Sequence, residues 1–265
     1  MKKMLFICMV GSLFFLTSVA TASEVVSTNI VGYQKISSVA PFYVTGPTFV
    51  SVLSFLEADP ETDYKIKLSD IIIEGMSANL EFIQIMDPTT GEVSQNFTYV
   101  PSGTNRGWWE PYQVGSAFTK YDNYQFSISS GFICNFTMPT EKTITFAGEV
   151  MTGSTIIDLT GQIFPVVANF LPVDGLTLGD LTVEGMMANL EFIQIMDPAT
   201  GEVSQNFTYV PSGTNRGWWV PYQVGSAFTK YDNEPFPAGA ALIGNFSVAA
   251  AVKITFPDPM LFVAP

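Results

Sequence analysis

Glu74-Gly75-Met76-Ser77-Ala78-Asn79-Leu80-Glu81-Phe82-Ile83-Gln84-Ile85-Met86-Asp87-Pro88-Thr89-Thr90-Gly91-Glu92-Val93-Ser94-Gln95-Asn96-Phe97-Thr98-Tyr99-Val100 opens a stretch that the chain contains twice. It runs to Asn123 and returns as Glu184–Asn233, offset by 110 residues, with three differences: Ser77/Met187, Thr89/Ala199 and Glu110/Val220. Identity on that scale is an internal duplication. Within it, Val93, Gln95, Phe97 and Tyr99 alternate with Ser94, Asn96, Thr98 and Val100, the period of a strand with one apolar-leaning face. Leu80–Met86 is a denser apolar run, as expected of a central strand. Between them, Pro88 fixes one φ and Gly91 accepts a positive one, so Asp87–Glu92 is predicted to be a hairpin turn. Ser102–Gly107 and Lys120–Asn123 mark further turns, and Lys142–Phe146 alternates again. Helical periodicity shrinks to one weak turn near Leu68–Ile73. The predicted fold class is therefore all-β, with two tandem homologous β-sandwich-like or barrel-like units and little helix.

Working outward, the likeness fades at once. Downstream, Phe126, Ile133, Asn135, Phe136, Ile144, Thr145 and Phe146 return as Phe236, Ile243, Asn245, Phe246, Ile254, Thr255 and Phe256. Upstream, after a five-residue length difference, Gly46, Phe49, Val52, Phe55 and Leu56 return as Gly161, Phe164, Val167, Phe170 and Leu171. The repeat is about 115 residues, a common domain size, and divides the chain into unit one, 23–147, and unit two, 148–265. The abrupt edges of the near-identical cassettes favour recent copying of DNA; shared function is the other reading. Met151-Thr152-Gly153-Ser154 is the one short flexible joint, so the units are expected to abut and pack together.

Residues 1–22 read as a signal peptide: Lys2-Lys3, the apolar run Met4–Leu16, then Ala20-Thr21-Ala22 as a small-x-small cleavage site. Its removal takes two lysines and moves the formal charge from -13 to -15. No later run is long and apolar enough to span a bilayer, so the product is expected outside the cell or at the envelope exterior, with no membrane span in the mature chain. The acidic balance excludes a phosphate-binding face and hence nucleic acid as partner. The absence of histidine removes Ser-His-Asp and Cys-His nucleophiles and His-based zinc sites.

Cys134 is the one cysteine left after the leader. In Phe132-Ile133-Cys134-Asn135-Phe136-Thr137-Met138, alternation puts it on an apolar face with Phe132, Phe136 and Met138, which reads as a buried thiol. The carboxylates Glu74, Glu81, Asp87, Glu92, Glu110 and Asp122 are the remaining catalytic candidates. Paired acids at a set separation could make a glycosidase, but Glu110 becomes Val220, and a duplicated enzyme would carry two complete sites. Calcium at Asp87 and Glu92 lacks any recognised loop spacing. No enzyme, no metal and no cofactor is the expectation.

Binding is the remaining class. Each cassette holds an Arg, two adjacent Trp and a Tyr: Arg106, Trp108, Trp109 and Tyr112, then Arg216, Trp218, Trp219 and Tyr222. Neighbouring strand residues face opposite ways, so at most one Trp of each pair enters a given core. The other lies outside, at an interface, or under a loop, where an exposed ring could stack on a sugar or hold a protein. The alternative is that both pack. The leading expectation is a structural or interaction protein with a protein or glycan partner; a carbohydrate-binding module with exposed Trp troughs is the second, and a carboxylate-dependent hydrolase the third. Four Asn-x-Ser/Thr sequons, at Asn96, Asn135, Asn206 and Asn245, permit glycosylation in a eukaryotic secretory route or are simply strand-edge residues.

Ser27-Thr28-Asn29-Ile30-Val31-Gly32-Tyr33 and Thr145-Phe146-Ala147-Gly148-Glu149-Val150, with the Asp87-Pro88-Thr89-Thr90-Gly91 turn and Gly107-Trp108, carry a resemblance. The chain resembles a group of uncharacterised secreted, duplicated β-rich proteins of the Verrucomicrobia–Lentisphaerae–Planctomycetes lineage, over most of the mature chain. The resemblance implies a secreted β protein and no particular activity. Many of these proteins end in an apolar, basic sorting tail, which Pro257–Pro265 does not match.

Overall fold

Antiparallel pairing organises the chain from Val31 onward. The computed structural model describes residues 31–38, 42–45, 65–138, 140–149, 153–171, 175–197, 200–247, 250–258 and 261–262. The predicted signal peptide, and Met151 and Thr152 of the joint, lie outside the described residues. The first copy contributes β1 (Val31–Ser38), β2 (Phe42–Thr45), β3 (Lys65–Lys67), β4 (Ile71–Glu74), β5 (Phe82–Met86), β6 (Thr98–Val100), β7 (Gly107–Trp109), β8 (Gln125–Ser127), β9 (Gly131–Asn135) and β10 (Lys142–Glu149). The second contributes β11 (Thr155–Asp158), β12 (Val166–Ala168), β13 (Thr182–Glu184), β14 (Phe192–Met196), β15 (Thr208–Val210), β16 (Gly217–Trp219), β17 (Ala241–Asn245) and β18 (Lys253–Phe256). The protein is all-β with almost no helix; short 3-10 turns at Leu68–Asp70 and Leu178–Asp180 replace the weak helical signal. No sheet closes into a barrel among the described residues.

The first copy forms sheets in the orders β1-β10-β4 and β2-β9-β5, with ribbons β3-β8 and β6-β7. The second repeats them as β11-β18-β13, β12-β17-β14 and β15-β16. The β3-β8 ribbon is reduced there to a single Thr177–Pro235 bridge. Pro235 and Pro237 stand where the first copy has Gln125 and Ser127, and proline has no N–H to extend a ladder. Strand β1 lies against β10 over eight residue pairs, Val31–Glu149 to Ser38–Lys142, so the Val-Gly-Tyr segment and the Phe-Ala-Gly-Glu segment share one ladder. That strand runs through Glu149, past the 147/148 division drawn from sequence.

The predicted hairpin at 87–92 forms as its residues dictate. Asp87 N–H donates to Glu92 O at 3.0 Å, Gly91 adopts φ +71°, and Asp87 Oδ1 accepts from Thr89 N–H and Thr90 N–H. That carboxylate is thereby committed to its own turn. The strand predicted over Val93–Val100 is interrupted: only Thr98–Val100 is continuous, with bridges at Val93 and Phe97. Ser94 causes the break, since its N–H donates to Ile85 O while its hydroxyl accepts Ile85 N–H at 2.9 Å. Val93 is exposed, whereas Thr98, on the expected polar side, is buried.

One apolar cluster takes in side chains of both copies, from Ile66, Phe97 and Trp108 to Phe207, Trp218 and Phe256. Val31–Pro265 holds together as a compact unit. The copies meet where Ser130 bridges Val167 and Ala168 N–H donates to Ser129 O at 3.1 Å. A Cβ on Gly131 would overlap Val166, so glycine allows that approach. Gln162 Nε2 also donates to Thr89 O at 2.7 Å. Cys134 is buried with Phe132 and Phe136, while Met138, expected on the same face, is exposed past the end of β9.

Candidate functional site

Both tryptophans of each cassette are buried: Trp108 and Trp218 at 0% exposure, Trp109 and Trp219 at 5%. Trp108 enters the core beside Tyr99, ring centroids 5.1 Å apart, and its Nε1–H donates to Ile71 O at 3.1 Å. Trp109 points the other way, where the preceding loop covers it and Asn105 O accepts its Nε1–H at 2.7 Å. The exposed Trp troughs expected of a sugar-binding module are thus corrected: each indole has a roof and fills it, as aromatic area favours. The second copy repeats this, except that Trp218 Nε1 has no partner among the described residues.

Tyr112 and Tyr222 behave oppositely. They are exposed by 74% and 75%, and their φ values are +65° and +64°. Glu110-Pro111-Tyr112-Gln113 closes with Gln113 N–H donating to Glu110 O at 3.0 Å. Proline second and a left-handed residue third is the order of a type II turn, whose third position ordinarily takes glycine. A tyrosine there sits in a backbone region that costs about 1 kcal/mol or more. Asn79, itself at φ +70°, clips the turn by accepting Tyr112 N–H on Oδ1 at 2.7 Å, and Thr98 Oγ1 accepts Asn79 N–H at 3.2 Å. Asn189 and Thr208 do the same for Tyr222. Thr98 and Thr208, the third residues of two sequons, are therefore buried clasps. Leu80 and Leu190, next to the clipping asparagines, are exposed.

Arg106 and Arg216, the only arginines of the chain, stand at a second feature. Arg106 Nε donates to Tyr99 Oη at 3.4 Å, and Arg216 Nε to Tyr209 Oη at 3.3 Å. That hydrogen bond raises both guanidinium pKa values above the ordinary arginine value. Each arginine edges a small recess with Tyr99, Trp108, Lys120 and Asp122, or with Tyr209, Trp218, Lys230 and Asp232. Lys120 pairs with Asp122 Oδ2 at 2.5 Å, while Asp122 Oδ1 accepts Trp108 N–H at 2.8 Å. Gly107, at φ +131°, makes room: a Cβ there would overlap Lys120 and Asp122.

Of the eight residues singled out from sequence, Trp108 and Trp218 lie in the core, Trp109 and Trp219 are buried under a loop, the two tyrosines are exposed, and the two arginines edge recesses. Among the described residues no hydrogen bond joins the tyrosine turn to the arginine. Asn79 has no role in the sequence reading, Lys120 figures there only as the start of a turn, and Asp122 only as one of the candidate carboxylates. The Pro111-Tyr112 order was the available signal for the strained turn; nothing local signals that the Lys120 turn folds back on Gly107. Among the described residues no group of three Asp, Glu, Cys or His side chains could hold a metal ion, and no helix is long and apolar enough to cross a membrane. In comparisons with known proteins, no family model, no curated protein and no solved structure matches the chain.

Proposed function

We propose that the protein is a secreted or envelope-exterior, non-enzymatic interaction protein built from two tandem β-sandwich-like units, each presenting a tyrosine turn to a protein partner. The carrying observation is that Tyr112 and Tyr222 are exposed in left-handed turns where glycine would be easier. An exposed residue held against backbone preference has no burial to offset its strain, which supports a role outside the fold. The leader-like segment at 1–22 and the likeness to secreted duplicated proteins support the location. Asp87 is committed to its turn and Glu81 to Lys142, which leaves the hydrolase reading without those two acids. A glycan partner remains the second reading, through the open Tyr112 and Tyr222 faces rather than tryptophan.

The double variant Tyr112→Gly/Tyr222→Gly tests this. Chemical denaturation should show a gain of about 1 kcal/mol per site, from relief of the left-handed backbone. A glycan array run in parallel separates the partner classes: a sugar bound by the wild type and lost in the variant moves the reading to carbohydrate. A loss of stability in the variant would mark both tyrosines as packing residues and end the proposal.

A further inference from the structure

We propose that the recess at Tyr99, Arg106 and Lys120, and its duplicate at Tyr209, Arg216 and Lys230, binds a carboxylate, that of a uronic acid or of a small organic acid. The site is separate from the tyrosine turn and stands or falls without it. Its volume is about 200 Å³ in the first copy and 140 Å³ in the second. Drug-sized ligands occupy roughly 300–1,000 Å³, so this space suits one ionised group with little attached.

The donors are arranged for that group. Tyr99 Oη accepts Arg106 Nε–H at 3.4 Å, which leaves both Nη groups without a partner among the described residues. Two parallel N–H groups match the two oxygens of a carboxylate. Lys120 brings a second positive charge to the same recess. Its partner Asp122 has both oxygens occupied, by Lys120 and by Trp108 N–H, so one carboxylate balances two cations. An anion completes the count. The chain's overall negative charge repels anions at long range, so recognition depends on these short contacts and favours a small ligand over a polyanion. The second recess has Thr182 for Ile72 and Gly179 for Ser69, which moves a wall hydroxyl from one position to the other.

Trp108 and Trp218 line the two recesses, so intrinsic tryptophan fluorescence of the purified full chain reports occupancy. The probes are galacturonate, succinate and galactose. Saturable change with galacturonate and none with galactose is the expected result. Succinate binding as tightly as galacturonate assigns the site to free acids; galacturonate alone assigns it to acidic sugars. Arg106→Gln/Arg216→Gln should weaken binding at least tenfold, and Arg106→Lys/Arg216→Lys should weaken it less, because charge stays while the fork is lost. Both arginines are exposed, and an unchanged thermal midpoint checks that the variants remain folded. Equal response to galactose, no saturable response to either acid, or undiminished binding by the Gln variant would overturn the proposal.

Discussion

Glu81 and Glu191 occupy the same place in near-identical cassettes, both are buried, and their partners differ. In the first copy Glu81 Oε1 lies 3.1 Å from Lys142 Nζ and also accepts Met138 N–H at 2.7 Å, while Oε2 accepts Ser77 N–H at 2.6 Å. Lys142 is equally buried, donates to Thr140 O at 2.6 Å and Met138 O at 3.2 Å, and lies 5.6 Å from the Phe136 ring centre. In the second copy Val252 holds the Lys142 position. Glu191 instead accepts Ser247 N–H at 2.9 Å, Ser247 Oγ–H at 2.6 Å and Met187 N–H at 2.8 Å. The same carboxylate is satisfied once by a cation and once by neutral donors. A buried ionic pair is thus one of two ways to close this corner, in keeping with the small net value of such pairs against well-fitted alternatives.

The largest predicted difference comes from removing that carboxylate's charge. Glu81→Gln leaves Lys142 buried without a counter-charge and should destabilise by about 3–5 kcal/mol. Glu191→Gln weakens hydrogen bonds alone and should lose about 1–2 kcal/mol. Urea denaturation of the two variants measures both; equal losses would break the comparison. Next come the inward-facing tryptophans. Trp108→Phe forfeits the bond to Ile71 O, whereas Trp218→Phe removes a donor already unpaired, so the first should cost about 1 kcal/mol more in the same measurement. The smallest effect concerns the exposed Lys253–Asp158 pair, 3.2 Å apart at the start of β18. Hydrogen bonds from Thr160, then Lys253, hold Asp158 below the ordinary carboxylate pKa. Its contribution is present above its unfolded value of about 4 and disappears as pH falls through the depressed folded value. Because both groups are nearly half exposed, Asp158→Asn should change stability at neutral pH by less than about 0.5 kcal/mol, and less still in high salt.

Much of this fold is legible in the sequence because its signals are local. The duplication shows as repeated residues, the turn at 87–92 as a proline and a glycine in the right order, and the all-β character as period-two patterning with scarcely any helical period. Alternation assigns Trp108 and Trp109 to opposite sides correctly. It is silent on whether both sides are covered, because the cover over Trp109 is the loop at Asn105 and not a second sheet. The break at Ser94 was hidden for a similar reason: a serine hydroxyl competing for a backbone N–H does not disturb the apolar pattern. The recess and the Glu81 corner depend on contacts between residues far apart in sequence, Lys120 folding back to Gly107 and Lys142 reaching Glu81. Tyr112 was singled out as an aromatic among several; only its backbone angle separates it from those that serve packing.

The clasp at Glu81 and Glu191 bears on how such a chain could evolve. Each cassette carries near its start a buried acceptor that takes a lysine from the downstream flank of the first copy or a serine from that of the second, so it works as a socket for either. A stretch with that property can be overwritten by its twin without stranding a charge in the interior. The flanks can drift apart in composition while the insert stays uniform, and a third copy grafted between fresh flanks would need only one donor, charged or not, at the matching corner.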